Sequence, residues 1–96
     1  MFGNGMMKKL QAMQEKAEEA KGRLNNIKLI GEAREGDVRV EVNGNGVITD
    51  LTFKPELQGE ELKQLIITAA NRALEQANRT KEMEMAQAAK GMMPGF

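Results

Sequence analysis

The sequence predicts an α/β protein of the α+β type, with two long helices flanking a three-stranded antiparallel sheet in the order α-β-β-β-α. Apolar residues recur every three or four positions near both ends of the chain, which is typical of helices. Between these segments they recur every second position, which is typical of strands, and glycine-rich turns separate the strands. A chain of 96 residues without a long linker predicts one domain, residues 1–96.

The first helix is predicted to run from about Met6 to Leu24. Its apolar residues follow alternating steps of four and three, which is the spacing of a coiled-coil seam and is narrower than an ordinary surface stripe. Two glycines and an asparagine precede this pattern, so residues 1–5 are expected to form a flexible arm. The apolar seam consists of Met6, Leu10, Met13, Ala17, Ala20, Leu24 and Ile27.

Three strands are predicted to follow the first helix. The first covers Ile27–Arg34, and the second covers Asp37–Asn43, where valines alternate with charged residues. The sequence Asn43-Gly44-Asn45-Gly46 predicts a tight hairpin between the second and third strands. In the third strand, residues 47–53, one face is expected to carry Val47, Thr49, Leu51 and Phe53, and the other face Ile48.

The second helix is predicted between a proline and a glycine. Pro55 ends the sheet because proline cannot donate a ladder hydrogen bond. The helix is expected to open at Gly59-Glu60-Glu61, where acidic residues suit the positive end of the helix dipole, and to stop at Gly91. Its apolar band is wider than one sheet face needs. Residues 91–96 are expected to form a flexible tail.

The seam and the band together predict a homodimer. A small domain buries only a modest core, and a seam of about three heptads needs a second helix beside it. That helix is either helix 2 of the same chain or a helix of a second chain. The alternative is a monomer whose two helices cover the two faces of the sheet. The predicted dimer interface comprises Met6, Leu10, Met13, Ala17, Ala20, Leu24, Leu62, Ile66 and Ala70.

Composition restricts the function. The chain contains no His, Cys or Ser, so the usual nucleophile–base pairs and zinc ligand sets cannot be assembled. We expect no catalysis, no cofactor and no small-molecule substrate. No apolar run approaches the ~20 residues of a membrane span, so no membrane association and a cytoplasmic location are expected. Equal numbers of basic and acidic residues, 14 each, argue against a histone-like polycation but leave nucleic-acid binding open.

Several short sequences, taken in order, carry a resemblance to a known family. They are MFGNG; Met6, Met7, Leu10, Met13 and Gln14; Gly31-Glu32; Gly36 with Val38, Val40, Val42, Asn43 and Gly44; Pro55-Glu56-Leu57; Ala69, Ala70, Asn71 and Ala73; Gly91-Met92; and Pro94-Gly95-Phe96. In their order and spacing, the chain resembles the YbaB/EbfC family of bacterial nucleoid-associated proteins.

The resemblance implies a homodimer whose paired helices project like tweezers and bind double-stranded DNA with little sequence preference, in association with the nucleoid. Charge and placement then select residues expected to contact phosphates, which position a protein without reading bases. These are Lys8, Lys9 and Lys16 on the first helix and Arg72, Arg79 and Lys81 on the second. The alternative function is a protein-interaction module whose Met-rich helices clasp a protein partner, since methionine suits adaptable surfaces.

Overall fold

The computed structural model describes residues 2–91 and confirms the predicted order of elements. The elements are α1 (Phe2–Asn25), β1 (Lys28–Ala33), β2 (Val38–Asn43), β3 (Ile48–Phe53) and α2 (Gly59–Gly91). The three strands form one antiparallel sheet in the order β1-β2-β3. The molecule is elongated, with extents of 67 × 22 × 18 Å, because both helices are longer than the sheet.

The structure differs from the prediction at the N-terminal arm, and most of the predicted C-terminal tail lies outside the described residues. α1 begins at Phe2, so residues 2–5 of the predicted flexible arm are helical, and the predicted start at Met6 was wrong. A glycine in a helix costs about 1 kcal/mol relative to alanine but does not forbid helical backbone, and no proline interrupts this segment. α2 continues through Gly91, and residues 92–96 of the predicted flexible tail lie outside the described residues.

The core lies between α2 and the first two strands. β2 contributes its three valines, Val38, Val40 and Val42, and α2 contributes Ala69, Ala73 and Ala77, all of them buried. Small alanine side chains let the helix approach the sheet closely. At Gly31 of β1, a Cβ atom would overlap the main-chain oxygen of Ala69 and the main-chain nitrogen of Ala73. A glycine is therefore required where α2 crosses β1.

The third strand lies outside this core. A helix is about 10 Å across and strands are about 4.8 Å apart, so one helix covers about two strands. Every residue of β3 is exposed, although Leu51 and Phe53 pair with Val40 and Val38 and so share the face that α2 covers elsewhere. Leu51 is 39% exposed and Phe53 is 45% exposed.

A register shift between Glu41 and Val42 changes the predicted faces of β3. Val42 pairs with Ile48, whereas the Thr49 hydroxyl donates a hydrogen bond of 2.6 Å to the Glu41 carboxylate. The extra residue of a bulge reverses the alternation on one side of it. The prediction that Ile48 faces away from Leu51, and Thr49 towards it, was therefore wrong at this end of the strand.

The other face of the sheet is polar and is not covered by either helix. Its central residues are exposed or half-buried: Ile30, Arg39, Glu41, Asp50 and Thr52. The arrangement considered for a monomer, with one helix on each face, was therefore wrong. The physical reason is the strict alternation in β2, which places charged residues on this face.

Ion pairs fix the β1–β2 turn to the start of α2 and to the end of β3. Residues 34–36 have positive φ angles of 55°, 58° and 90°, which turn the chain sharply. Arg34 forms a hydrogen-bonded ion pair with Glu61, which raises the pKa of the guanidinium. Lys54, after β3, lies 3.0 Å from Asp37, and this hydrogen bond raises the pKa of its ammonium. These contacts hold the end of the sheet that lies away from α1.

Candidate nucleic-acid interface

The C-terminal end of α1 is fixed by the β2–β3 hairpin. The main-chain amide of Gly44 donates a hydrogen bond of 2.8 Å to the Leu24 carbonyl. The side-chain amide of Asn45 donates to the Lys21 carbonyl at 3.0 Å. Leu24 and Ala20 are fully buried, and a Cβ atom at Gly44 would lie 2.8 Å from Leu24 Cδ2. The hairpin glycine therefore allows α1 to be seated closely on the sheet.

The rest of α1 extends away from this contact. Residues 5–19, which we call the projecting segment, are exposed without exception. Met6 is 61% exposed, Leu10 is 56% exposed and Met13 is 55% exposed. The apolar seam is thus used within the chain only at its C-terminal end.

α2 runs antiparallel beside the C-terminal half of α1. Arg23 lies 2.5 Å from the Glu84 carboxylate. Further along α1 towards its N-terminus, Lys16 shares an open cleft of about 280 Å³ with Glu84, Gln87 and Ala88 of α2. Of the two partners predicted for the seam, helix 2 of the same chain therefore meets its C-terminal part.

Basic residues of α1 form a stripe beside the seam. Lys9, Lys16 and Arg23 are seven residues apart, so they project from nearly the same side of the helix at intervals of about 10 Å. Glu15 and Glu18 lie off this stripe, whereas Glu19 lies beside it, between Lys16 and Arg23. Arg23 was not among the predicted contact residues, although the seven-residue spacing is visible in the sequence.

The six residues predicted to contact DNA differ in whether they already bind another group of the protein. Within residues 5–90, no acidic side chain forms an ion pair with Lys8, Lys9, Lys16 or Lys81. Arg79 is held 2.5 Å from Glu75, one turn earlier in α2. Arg72 donates a hydrogen bond of 2.7 Å to the main-chain oxygen of Glu32. The lysines are therefore freer to meet a phosphate than the two arginines.

The structure does not bring these six residues into one site. Lys81 lines an open cleft of about 420 Å³ between α2 and the β2–β3 hairpin, together with Asn71 and Asn78. Lys16 lies in the separate cleft between the helices. Lys8 and Lys9 lie farther out, in the projecting segment. Within the part of the chain that the structure describes, the basic positions are therefore spread along its length, and Lys16 and Lys81 line different clefts.

The residues predicted for a dimer interface also fall into separate groups. Ala20 and Leu24 are already buried within one chain, so they have no free surface to offer a partner. Leu62, Ile66 and Ala70 are partly buried against the core. The four outer seam residues are exposed: Met6, Leu10, Met13 and Ala17. Sequence reasoning missed the exposed apolar residues of β3, and alternation alone could not identify them because it does not tell which strand a helix covers.

The described residues restrict other kinds of site. Among them, no group of three or more acidic side chains is placed to hold a metal ion. Neither α1 nor α2, over the part described, has an apolar stretch long enough to cross a bilayer.

The fold and the charge pattern define a class of small proteins in which a sheet and one helix support a second, lysine-bearing helix that extends into solvent. The chain belongs to the YbaB/EbfC DNA-binding family, whose family model matches residues 2–92. This family is not an enzyme family, and the resemblance noted in the sequence is confirmed.

Several relatives match over nearly the whole chain. A nucleoid-associated protein of Chlorobium luteolum is 35% identical over 94 residues, covering 96% of this chain and 85% of its own length. A nucleoid-associated protein of Chlorobaculum tepidum is also 35% identical, covering 96% of this chain and 84% of its own. A nucleoid-associated protein of Legionella pneumophila is 31% identical, covering 95% of this chain and 83% of its own.

A solved structure has the same fold. The uncharacterized protein HP0035 from Helicobacter pylori superimposes with a TM-score of 0.69 over 88% of this chain and 98% of its own. At 19% sequence identity this likeness concerns the fold alone.

Proposed function

We propose that the chain is a nucleoid-associated protein that binds duplex DNA as a homodimer, through phosphate contacts and with little sequence preference. The observation that carries this proposal is the projecting segment, which presents Lys8, Lys9 and Lys16 without acidic partners among residues 5–90. Membership in a DNA-binding family and the names of the relatives support it.

Local charge supports phosphate binding despite the neutral total. Residues 5–14 hold two lysines, Lys8 and Lys9, and no acidic residue, a local charge of +2, whereas the projecting segment as a whole holds three lysines and three glutamates and the whole chain has a formal net charge of zero. Attraction to DNA depends on the surface that approaches it, and charges farther away than a Debye length, about 8–10 Å, are largely screened. Residues 5–14 can therefore approach DNA ahead of the acidic residues of α1, which begin at Glu15.

The residue types on the projecting segment favour backbone contacts over base readout. Lysine is a flexible point charge, whereas bidentate recognition of guanine depends most often on arginine. Residues 5–19 contain no arginine. Lysine–phosphate contacts fix position and affinity and carry no sequence information directly. Little sequence preference follows from this.

The homodimer is supported by apolar surface that one chain leaves uncovered. We call Leu51 and Phe53 of β3, together with Ile67 of α2, the β3 surface; all three are exposed. Val47 and Ile48 extend the exposed apolar residues towards the hairpin, at 55% and 53%. Clustered exposed apolar residues on a small protein mark an interaction site. A second copy seated here would cover the strand that α2 cannot reach and would double the number of projecting segments.

DNA binding is tested by fluorescence anisotropy of two labelled duplexes of unrelated sequence, titrated with protein at ~50 and ~200 mM salt. We expect similar affinities for both duplexes and a steep loss of affinity at the higher salt concentration. The slope of log affinity against log salt then counts the phosphate contacts, at about 0.9 per contact. Absence of binding at the lower salt concentration would contradict the proposal.

The homodimer is tested by light scattering on Leu51→Glu and Phe53→Glu, with Thr52→Glu as the matched control. Thr52 lies between them on β3 and points to the polar face, so the control adds the same charge to the same strand. We expect dimer mass for the wild type and the control and monomer mass for the two variants. Monomer mass for the wild type at micromolar concentration would contradict homodimerisation.

The exposed methionines support a second candidate function, a protein-interaction module. Met6, Met7, Met13 and Met83 are 61%, 60%, 55% and 69% exposed, respectively. Methionine adapts to varied apolar partners. If the anisotropy experiment finds no DNA binding, we would expect Met6→Gln with Met13→Gln to abolish binding of a protein partner; unchanged partner binding would contradict this second function.

A further inference from the structure

The two edges of the sheet differ in what covers their main-chain groups. At β1, the side-chain amide of Gln76 donates a hydrogen bond of 3.0 Å to the Ile30 carbonyl. Arg72 donates one of 2.7 Å to the Glu32 carbonyl. At β3, no described side chain donates to a main-chain oxygen of residues 48–53. One edge is therefore occupied by side chains of α2, and the other is free of them.

The distance between the two hydrogen bonds at β1 fits the residue spacing of both the helix and the strand. Residues four apart on a helix are separated by about 6 Å along the axis, and residues two apart on a strand by about 6.6 Å. Ile30 and Glu32 are two apart, and Arg72 and Gln76 are four apart. Since β2 occupies the other side of β1, alternate carbonyls can point to the outer edge together. The two side chains therefore occupy two successive outward carbonyls.

Exposed edge carbonyls are a template to which another strand can add, and natural proteins cover such edges or place charges on them. We propose that Arg72 and Gln76, the edge-closing pair, block strand addition at β1, so that a second copy of this chain associates only at β3. This inference rests on the proposed homodimer. A self-complementary contact at a single open edge gives a closed pair, whereas two open edges permit an open-ended chain of subunits.

The proposal assigns Arg72 a role different from its predicted contact with DNA. Within residues 5–90 the Arg72 guanidinium forms no ion pair, and it donates its hydrogen bond to the main-chain oxygen of Glu32. Gln76 carries no charge, so it contributes nothing to phosphate attraction, and yet it binds the neighbouring carbonyl in the same way. The two residues differ in charge, and what they have in common is a hydrogen bond to a carbonyl at the β1 edge.

The test compares two double variants. The edge variant carries Arg72→Ala and Gln76→Ala in one chain, and the control carries Arg79→Ala and Gln64→Ala. The control removes one arginine and one glutamine from α2 without touching β1, and alanine keeps the helix without adding a large apolar side chain. Light scattering over a range of concentrations is expected to give at least a doubling of mean mass for the edge variant relative to the wild type, and none for the control. Circular dichroism checks that each variant is folded.

A cysteine reports where the added contact lies. The chain contains no cysteine, and Ile30 is 40% exposed, so Ile30→Cys introduces one thiol beside the β1 edge. We expect an intermolecular disulfide in the edge variant and none in the wild-type background. The single variants Arg72→Ala and Gln76→Ala each uncover one carbonyl and are expected to give smaller rises in mass, which keeps the test available if the double variant does not fold.

The outcomes separate this inference from the proposed function. A folded edge variant with the mass of the wild type would overturn the inference, and so would an equal rise in the control. A wild type that is monomeric would contradict the proposed homodimer and leave the comparison between variants valid, because opening β1 would still raise the mass above that of the wild type.

Discussion

The two ends of α1 have the same apolar spacing but opposite surroundings. Leu24 and Ala20 are fully buried against the hairpin and α2, whereas Leu10 and Met13 are 56% and 55% exposed. The seam continues through both ends without a change in period, so spacing alone does not determine which part is core. What differs is the presence of a second surface, which the β2–β3 hairpin provides at one end only.

This contrast shows how stability and function are separated along one helix. The buried end of α1 is held on the hairpin by Leu24 and by the hydrogen bonds from Gly44 and Asn45. The projecting segment adds little to the core, so its residues are free to serve a partner. Substitutions at the two ends should therefore have effects of different kinds.

The largest difference in stability between the two ends of α1 is expected when a leucine is truncated to alanine at each end. Leu24→Ala is expected to lower the free energy of unfolding by about 2–5 kcal/mol, because it removes a fully buried side chain. Leu10→Ala, the same chemical change in the projecting segment, is expected to change it by less than about 0.5 kcal/mol. Urea denaturation followed by circular dichroism measures both. Equal losses would mean that the outer seam is packed in the assembled protein.

Glycines offer a second comparison with a smaller expected effect. Gly31→Ala would drive a Cβ atom into the backbone of α2 and is expected to cost about 1–3 kcal/mol. Gly22→Ala lies on α1, where a Cβ atom would meet nothing within 4 Å, and is expected to stabilise the protein by about 0.4–1 kcal/mol. Thermal unfolding measures the pair. Stabilisation by Gly31→Ala would contradict the close packing of α2 on β1.

The smallest expected effect concerns the methionines of the projecting segment. Met6→Gln combined with Met13→Gln is expected to change the free energy of unfolding by less than about 0.5 kcal/mol and to leave DNA affinity unchanged, because both side chains are exposed and uncharged. Chemical denaturation and anisotropy measure the two quantities. A marked loss of affinity without loss of stability would show that DNA binding depends on the apolar seam.

The fold could be predicted because each element carries a local signal. The valine alternation of β2 and the glycines of the hairpin specify an antiparallel pair without reference to the rest of the chain. The predicted start of α1 was wrong because two glycines weaken a helix without ending it. The faces of β3 were partly wrong because a bulge, here beside Val42, depends on pairing that no single strand reveals.

The candidate site was less predictable, because charge pattern does not reveal what a side chain already binds. Arg72, Arg79 and Lys16 are equally basic in sequence. In the structure, Arg72 binds a carbonyl of β1 and Arg79 binds Glu75, whereas Lys16 lies beside a cleft between the helices. The Arg79–Glu75 pair joins residues four apart on one helix and is visible in the sequence, whereas the bond from Arg72 to Glu32 joins residues 40 apart and needs the tertiary structure.

The most direct test of the central claim, that the lysines of the projecting segment bind DNA phosphates, compares two double variants of equal charge. The first variant, Lys9→Gln with Lys16→Gln, neutralises two lysines of α1. The second, Lys54→Gln with Lys63→Gln, neutralises two lysines outside α1, which pair with Asp37 and Glu60. Fluorescence anisotropy across salt concentrations is expected to show about a tenfold or greater loss of affinity and a shallower salt slope for the first variant, and little change for the second. Equal losses in both variants, or none in the first, would contradict the claim.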